Sequence, residues 1–188
     1  MEPLAALAFG LLLDVVSAKI SDSLDKLVQL RGKDRTQKSF ERLMKEWRVD
    51  VYDIEDTIDL CESKRKSFLL SKRKVRKIDA YRSEINEVEI RNSGVFLADF
   101  SKSELLRLGI SAKSLIFLLD LSDSKIDEIS IENSFILHLD LHNAMVNRMV
   151  MNESKIFNLD LSEAKLKEPR ISNTSIFFRD EYRTEFPK

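Results

Sequence analysis

The sequence is poor in the residues that staple or hinge a chain. Its 188 residues include one cysteine, three prolines and four glycines. The single thiol, Cys61, excludes an internal disulfide and fits a reducing compartment. No histidine stands near it in the sequence, so an idle thiol is the plain reading. The glycines are Gly10, Gly32, Gly94 and Gly109. They form no G-x-x-x-x-G-K-[ST] loop, so the chain lacks a backbone cradle for phosphates and no nucleotide is expected. Charge of one sign is missing as well. The formal net charge is −1, which excludes a simple polyanion or polycation. The apolar run Leu4–Leu13 ends at Asp14 and is too short to span a bilayer. No Lys or Arg precedes it, unlike a secretory signal, which gives the expectation of a cytoplasmic protein.

What is present is apolar periodicity and dense charge. The chain is 43% hydrophobic, enough for a core, and 34% charged, enough for much solvated surface. Leu4, Leu7, Leu11, Val15, Ile20, Leu24 and Leu27 predict a helix over 3–30. Phe40, Leu43, Met44, Trp47, Val51, Ile54 and Ile58 predict a second over 36–62, and Val75, Ile78, Tyr81, Ile85 and Val88 a third over about 71–88. Six acids lie between Asp50 and Glu62, and eight bases between Lys64 and Lys77. An antiparallel turn near 63–68 would lay one block beside the other, each exposed pair contributing only about 0–1 kcal/mol. The basic block also reads as a nuclear-import or anionic-lipid patch.

Near Ser93 a repeat takes over. Leu119-Asp120-Leu121, Leu139-Asp140-Leu141 and Leu159-Asp160-Leu161 recur every 20 residues. Each sits in a longer pattern, such as Ile116, Leu119, Leu121, Ile126 and Ile129. Ala98-Asp99-Phe100 reads as an earlier turn displaced by one residue. A fixed repeat with inward aliphatic residues means a solenoid, in which each coil buries its apolar side chains by stacking on its neighbours. Glu128, Arg148 and Glu168 should then stack with alternating sign, Arg107 preceding them with the one-residue offset. Asp120, Asp140 and Asp160 should form a like-charge ladder, with Asp99 and Asp180 at its ends. At a strand spacing of about 4.8 Å such a ladder repels itself and raises carboxylate pKa values. It is either solvated or meets a basic partner. No end cap is evident.

Lys45-Glu46-Trp47-Arg48, followed by Val51-Tyr52-Asp53-Ile54-Glu55-Asp56-Thr57-Ile58-Asp59, resembles the N-terminal coiled-coil domain of plant intracellular immune receptors of the nucleotide-binding leucine-rich-repeat class. Glu55–Asp59 looks like that family's "EDVID" motif with Thr for Val. Ile116–Ile129 is similar to a leucine-rich repeat. The 20-residue period and the apolar residue at every fifth position from Ile116 to Ile176 also suit a pentapeptide-repeat β-helix. The family's nucleotide-binding domain is missing. In the family the acidic motif docks on an arginine cluster of the repeats. Here Arg107, Arg148 and Arg170 are the candidate arginine partners within the repeat.

No catalytic motif of the G-x-S-x-G or S-x-x-K kind appears where it would be meaningful, so no enzyme is expected. His138 and His142 with Asp140 lack a third well-placed ligand, and no metal or other cofactor is expected. Nucleic acid is not expected either, because the acidic neighbours compete for the basic block. The resulting expectation is an α+β chain: a coiled-coil-type helical bundle over 1–92, then a short leucine-rich-repeat-like solenoid of about 20-residue coils over 93–188. By the resemblance it would be a truncated receptor acting as adaptor, regulator or decoy in plant defence. Its partners would be immune receptors or guarded host proteins, with self-association through the helical domain. Asp53, Glu55, Asp56, Asp59, Asp120, Asp140 and Asp160 are the expected contact residues. A membrane-associating protein using helix 3–30 is the alternative. Beyond the cytoplasm, that alternative and the basic block point to the plasma-membrane surface and the nucleus.

Overall fold

The computed structural model describes residues 54–186. Among them are thirteen strands and no helix. Seven are six residues long: β1 (Ile54–Asp59), β3 (Lys74–Asp79), β5 (Gly94–Asp99), β7 (Leu115–Asp120), β9 (Phe135–Asp140), β11 (Lys155–Asp160) and β13 (Ser175–Asp180). They alternate along the chain with six longer ones: β2 (Lys64–Ser71), β4 (Glu84–Arg91), β6 (Glu104–Ser111), β8 (Lys125–Glu132), β10 (Met145–Asn152) and β12 (Lys165–Ser172). The odd strands form one seven-stranded parallel sheet and the even strands a six-stranded parallel sheet, each in chain order. The chain therefore winds as a parallel β-solenoid of about six turns, one strand of each sheet per turn.

The inward residues explain the winding. From Leu119 onward they run Leu119, Leu121, Ser124, Ile126, Ile129, Ile131, Ser134 and Ile136, all buried. The steps alternate between two and three, so each five-residue period turns the chain one further stretch around the core. Stacking places like on like: Val75, Val95, Ile116, Ile136 and Ile156 form one column, and Ile78, Ala98, Leu119, Leu139 and Leu159 another. All ten are fully buried. Where the chain bends, the inward residue is small. Ser83, Ser93, Ser103, Ser114, Ser124, Ser134 and Ser154 are buried there, most with the hydroxyl donated to a nearby carbonyl, as from Ser103 to Ala80 at 2.8 Å and Ser134 to Glu132 at 2.8 Å. Phe96, Phe117, Leu137 and Phe157 are buried outside the inward core, on the other side of the seven-stranded sheet, where Phe96 and Phe117 stack at 5.1 Å.

Partners in adjacent coils lie 20 residues apart except between β5 and β7 and between β6 and β8, where the step is 21, as for Asp99 and Asp120. The extra residue sits in the turn after β6, where both Ala112 and Lys113 have positive φ. Other turns place one non-glycine residue in that region at each fixed position. Glu62, Arg82, Lys102, Asp123, Asn143, Glu163 and Arg183 form one series. Lys72, Asn92, Asn133, Glu153 and Asn173 form the second.

The helical bundle is corrected by these strands. Residues expected to end the second helix form β1, and those of the third form β3 and β4. The expected helix over 3–30, and Asp53 with it, lie outside the described residues. The physical reason is a shared spacing. Val75 to Ile78 and Ile85 to Val88 are three-residue steps, and Ile78 to Ile85 is seven, all compatible with a helix face. The two-residue steps Ile78 to Ala80 and Val88 to Ile90, each to a buried residue, are not. The β-branched side chains at Val75, Ile78, Ile85, Val88 and Ile90 favour the strand. The solenoid is thus under way at Ile54, and the change of character read near Ser93 falls between β4 and β5 of one continuous stack. A leucine-rich coil has one strand and a helix or 3₁₀ segment. Here the second limb of each coil is a strand as well.

The antiparallel turn expected near 63–68 is corrected too, since β1 and β2 belong to different sheets. Lys64 meets Glu84 at 2.7 Å in the next coil. The last coil carries a cap. Arg179 stacks on Leu159, and Glu181 follows Asp180, whose carbonyl accepts the Leu161 N–H. Arg179 and Glu181 form an ion pair, and the Arg179 guanidinium lies 5.7 Å from the Phe186 ring centre. Two charged residues thereby follow two leucine columns and lay polar groups over that part of the core, as capping repeats do, while Ile176 continues the column of Ile156.

Candidate functional site

The expected acidic contact residues come together in one column. Asp59, Asp79, Asp99, Asp120, Asp140, Asp160 and Asp180 are in register at the ends of the odd strands. The membership of Asp59 and Asp79 was missed in the sequence, because their coils read as helix. Glu55 and Asp56 lie within β1 and do not share the column.

Each carboxylate first serves its own turn. The Oδ1 atoms of Asp120, Asp140 and Asp160 accept the backbone N–H of Ser122 at 2.9 Å, His142 at 2.8 Å and Ser162 at 2.8 Å. Asp59, Asp99 and Asp180 do the same with Cys61, Ser101 and Tyr182. This is the aspartate turn, in which a short side chain replaces a backbone acceptor two residues on. The Ser101, Ser122 and Ser162 hydroxyls add a second donor at 2.6–2.7 Å.

The column is largely un-neutralised. Among the described residues Asp79 pairs with Lys77 at 2.6 Å, and no base pairs with Asp99, Asp120, Asp140, Asp160 or Asp180. Asp140 is pushed up to about 6, by burial first, with the charges of Asp120 and Asp160 adding to it against the His142 N–H bond. Repulsion therefore contributes as expected, but burial is the larger cause. Beside it, His138 Nδ1 lies 2.8 Å from the Asn158 amide nitrogen. That amide donates, leaving a neutral imidazole, and burial lowers the His138 pKa against the pull of Asp160 and Asp120.

The charges of the six-stranded sheet contrast with this. Arg107 lies 3.1 Å from Glu87 and 3.6 Å from Glu128, and Arg148 is 3.9 Å from both Glu128 and Glu168. The alternating ladder expected from the sequence is therefore present, extended backward by Glu87. It spends its charges on itself and leaves neither arginine to receive an acidic motif.

Among the described residues, the polar groups beside the column make structural contacts. His142 Nδ1 is 2.9 Å from Ser162 Oγ, and Ser162 Oγ donates to Asp160 at 2.6 Å. The hydroxyl proton is thus directed at the carboxylate, and His142 Nδ1 must donate, which is the reverse of what activates a serine nucleophile. Among the described residues no group of three or more His, Cys, Asp or Glu side chains could hold a metal ion. Cys61 is exposed, and its pKa is raised by desolvation and by Asp79, Glu62, Asp59 and Asp99, so it carries no activated thiolate. No helix among the described residues is long and apolar enough to cross a membrane.

No protein-family model, curated protein or solved structure matches the chain. The likeness to immune receptors thus rests on the residues quoted for it, of which Ile54–Asp59 form a strand.

Proposed function

We propose that this chain is a non-enzymatic protein-interaction module whose stacked carboxylates receive a basic segment of a partner protein. A β-solenoid is a scaffold suited to such a role, since it repeats one surface side chain at a spacing of about 4.8 Å. The observation that carries the reading is the contrast between the two charge ladders. One is internally neutralised, and the other stacks five carboxylates without a described counter-charge. Two like charges at that spacing repel by about 1 kcal/mol even in water, and a bound cation relieves this.

The finer setting belongs to the same proposal. It is plant defence signalling in the cytoplasm, as adaptor, regulator or decoy of full-length immune receptors. It is supported by the resemblance of Lys45–Asp59 alone, and not through a helical docking motif. The test is affinity purification from native tissue with wild type and the triple variant Asp120→Asn, Asp140→Asn, Asp160→Asn. Asparagine keeps the Oδ1 acceptor that each turn needs and removes only the charge. Partners lost from the variant, and released from wild type by salt, are the expected result. A partner set identical for both proteins would refute the role of the ladder.

A further inference from the structure

Among the described residues, exposed large apolar side chains are concentrated in the last coil. Leu69, Leu106 and Met145 are scattered singly, but Ile171, Phe177, Phe178, Tyr182 and Phe186 lie within 16 residues of one another. Phe177 and Phe178 are about half exposed, at 52% and 49%, and both lean on the buried Phe157, at 5.5 and 5.2 Å.

The two sheet edges at this end are protected unequally. β12 contains Lys165, Lys167, Glu168, Pro169 and Arg170, and proline and charge both discourage a further strand. The chain also returns over its start. The Leu166 N–H donates to the Glu185 carbonyl at 2.9 Å, and Lys165 pairs with Glu185 at 3.3 Å. Among the described residues β13 has no such cover. It reads Ser-Ile-Phe-Phe-Arg-Asp and pairs there with β11 alone, so none of them takes up its outer row of backbone donors and acceptors.

We infer that this edge joins two copies of the chain, β13 pairing antiparallel with β13 of the second copy about a two-fold axis at Phe177. A second copy fits better than an unrelated strand because the pattern is self-complementary. In that register Phe177 meets Phe177 of the second copy, with Phe178 of each copy beside them on the outer side where both lean on Phe157, Ser175 faces Arg179, and Thr174 faces Asp180. Apolar residues meet apolar ones and no like charges meet. Moving the axis one residue toward the C-terminus sets Ile176 against Asp180. A two-fold contact also closes both open edges at once, whereas head-to-tail stacking leaves an edge free.

Sedimentation of the full chain across a dilution series tests this. A concentration-dependent dimer is expected for wild type. Phe177→Lys with Phe178→Lys should sediment as a monomer throughout, with an unchanged circular-dichroism spectrum. Phe177→Cys in a Cys61→Ser background reads the register. Residues facing each other across antiparallel strands have Cα atoms about 4.5–5.5 Å apart, within disulfide reach. Mild oxidation should give a linked dimer, and Leu106→Cys in the same background should not. A wild-type monomer at the highest concentration would overturn the proposal, as would a dimer that survives the double lysine change or fails to cross-link at position 177.

Discussion

At the scale of the residue, burial and backbone conformation decide what each position tolerates. Leu139 is fully buried between Leu119 and Leu159. Leu139→Ala should cost about 2–5 kcal/mol in urea unfolding, whereas Met145→Ala, half exposed on the six-stranded sheet, should change stability little. Glu153 is exposed and has φ 51°, a conformation that asparagine enters more readily, and Asn92, Asn133 and Asn173 occupy equivalent turns. Glu153→Asn should therefore raise the melting temperature, by roughly 0.5–1 kcal/mol of stability.

Asp140 adds a pH dependence. Its folded pKa of about 6 stands above the ordinary value of 3.8, so between these values the folded state holds a proton that the unfolded chain has released. This group's contribution to stability is greatest below pH 4 and is lost as pH rises through 6, an effect of roughly 1–3 kcal/mol. His138 acts in the opposite direction, its lowered pKa costing stability as pH falls below 6.5. Asp140→Asn keeps the acceptor for His142 and removes the titration. Its melting temperature should exceed that of wild type at pH 7.5 and match it near pH 4, as read by thermal unfolding at both.

At the scale of the element, the ladders fix which strand lies beside which. Arg148→Glu would place three acids in succession at positions 128, 148 and 168. The loss expected is about 1 kcal/mol at low salt, shrinking as salt is added, because these side chains are substantially exposed. The ladder was legible in the sequence, sign for sign, down to the one-residue offset at Arg107. So was the aspartate column from Asp99 to Asp180, because identical residues recurred at a fixed step. The first coils were not legible, since Ile78, Ile85 and Val88 fall at spacings that helix and coil share. The discriminating signal was the small residue at the bends. Serine recurs every ten residues from Ser83 to Ser103 and again from Ser114 to Ser134, a period that no helix face requires. The cap was missed for another reason: Arg179 and Glu181 look like ordinary surface charge until Leu159 and Leu161 are seen beneath them.

At the scale of the whole molecule, two sheet-forming limbs per turn give a continuous core and a regular exterior. Core columns are aliphatic; the Val75–Ile156 column runs on into Ile176, and polar Arg179 and Glu181 follow the columns of Leu159 and Leu161. The exterior divides its labour. One ladder neutralises itself and sets register, and the other keeps its charge, which the proposed function assigns to a partner. All of this depends on residues 64–91 being coil and not bundle. The most direct measurement is nuclear magnetic resonance of the full chain over that segment. Strand-type carbon shifts from Lys64 to Ser71 and from Glu84 to Arg91, with cross-strand contacts between Phe68 and Val88 and between Ile78 and Ala98, are the predicted result. Helical shifts through Val75–Val88 without those contacts would contradict the account.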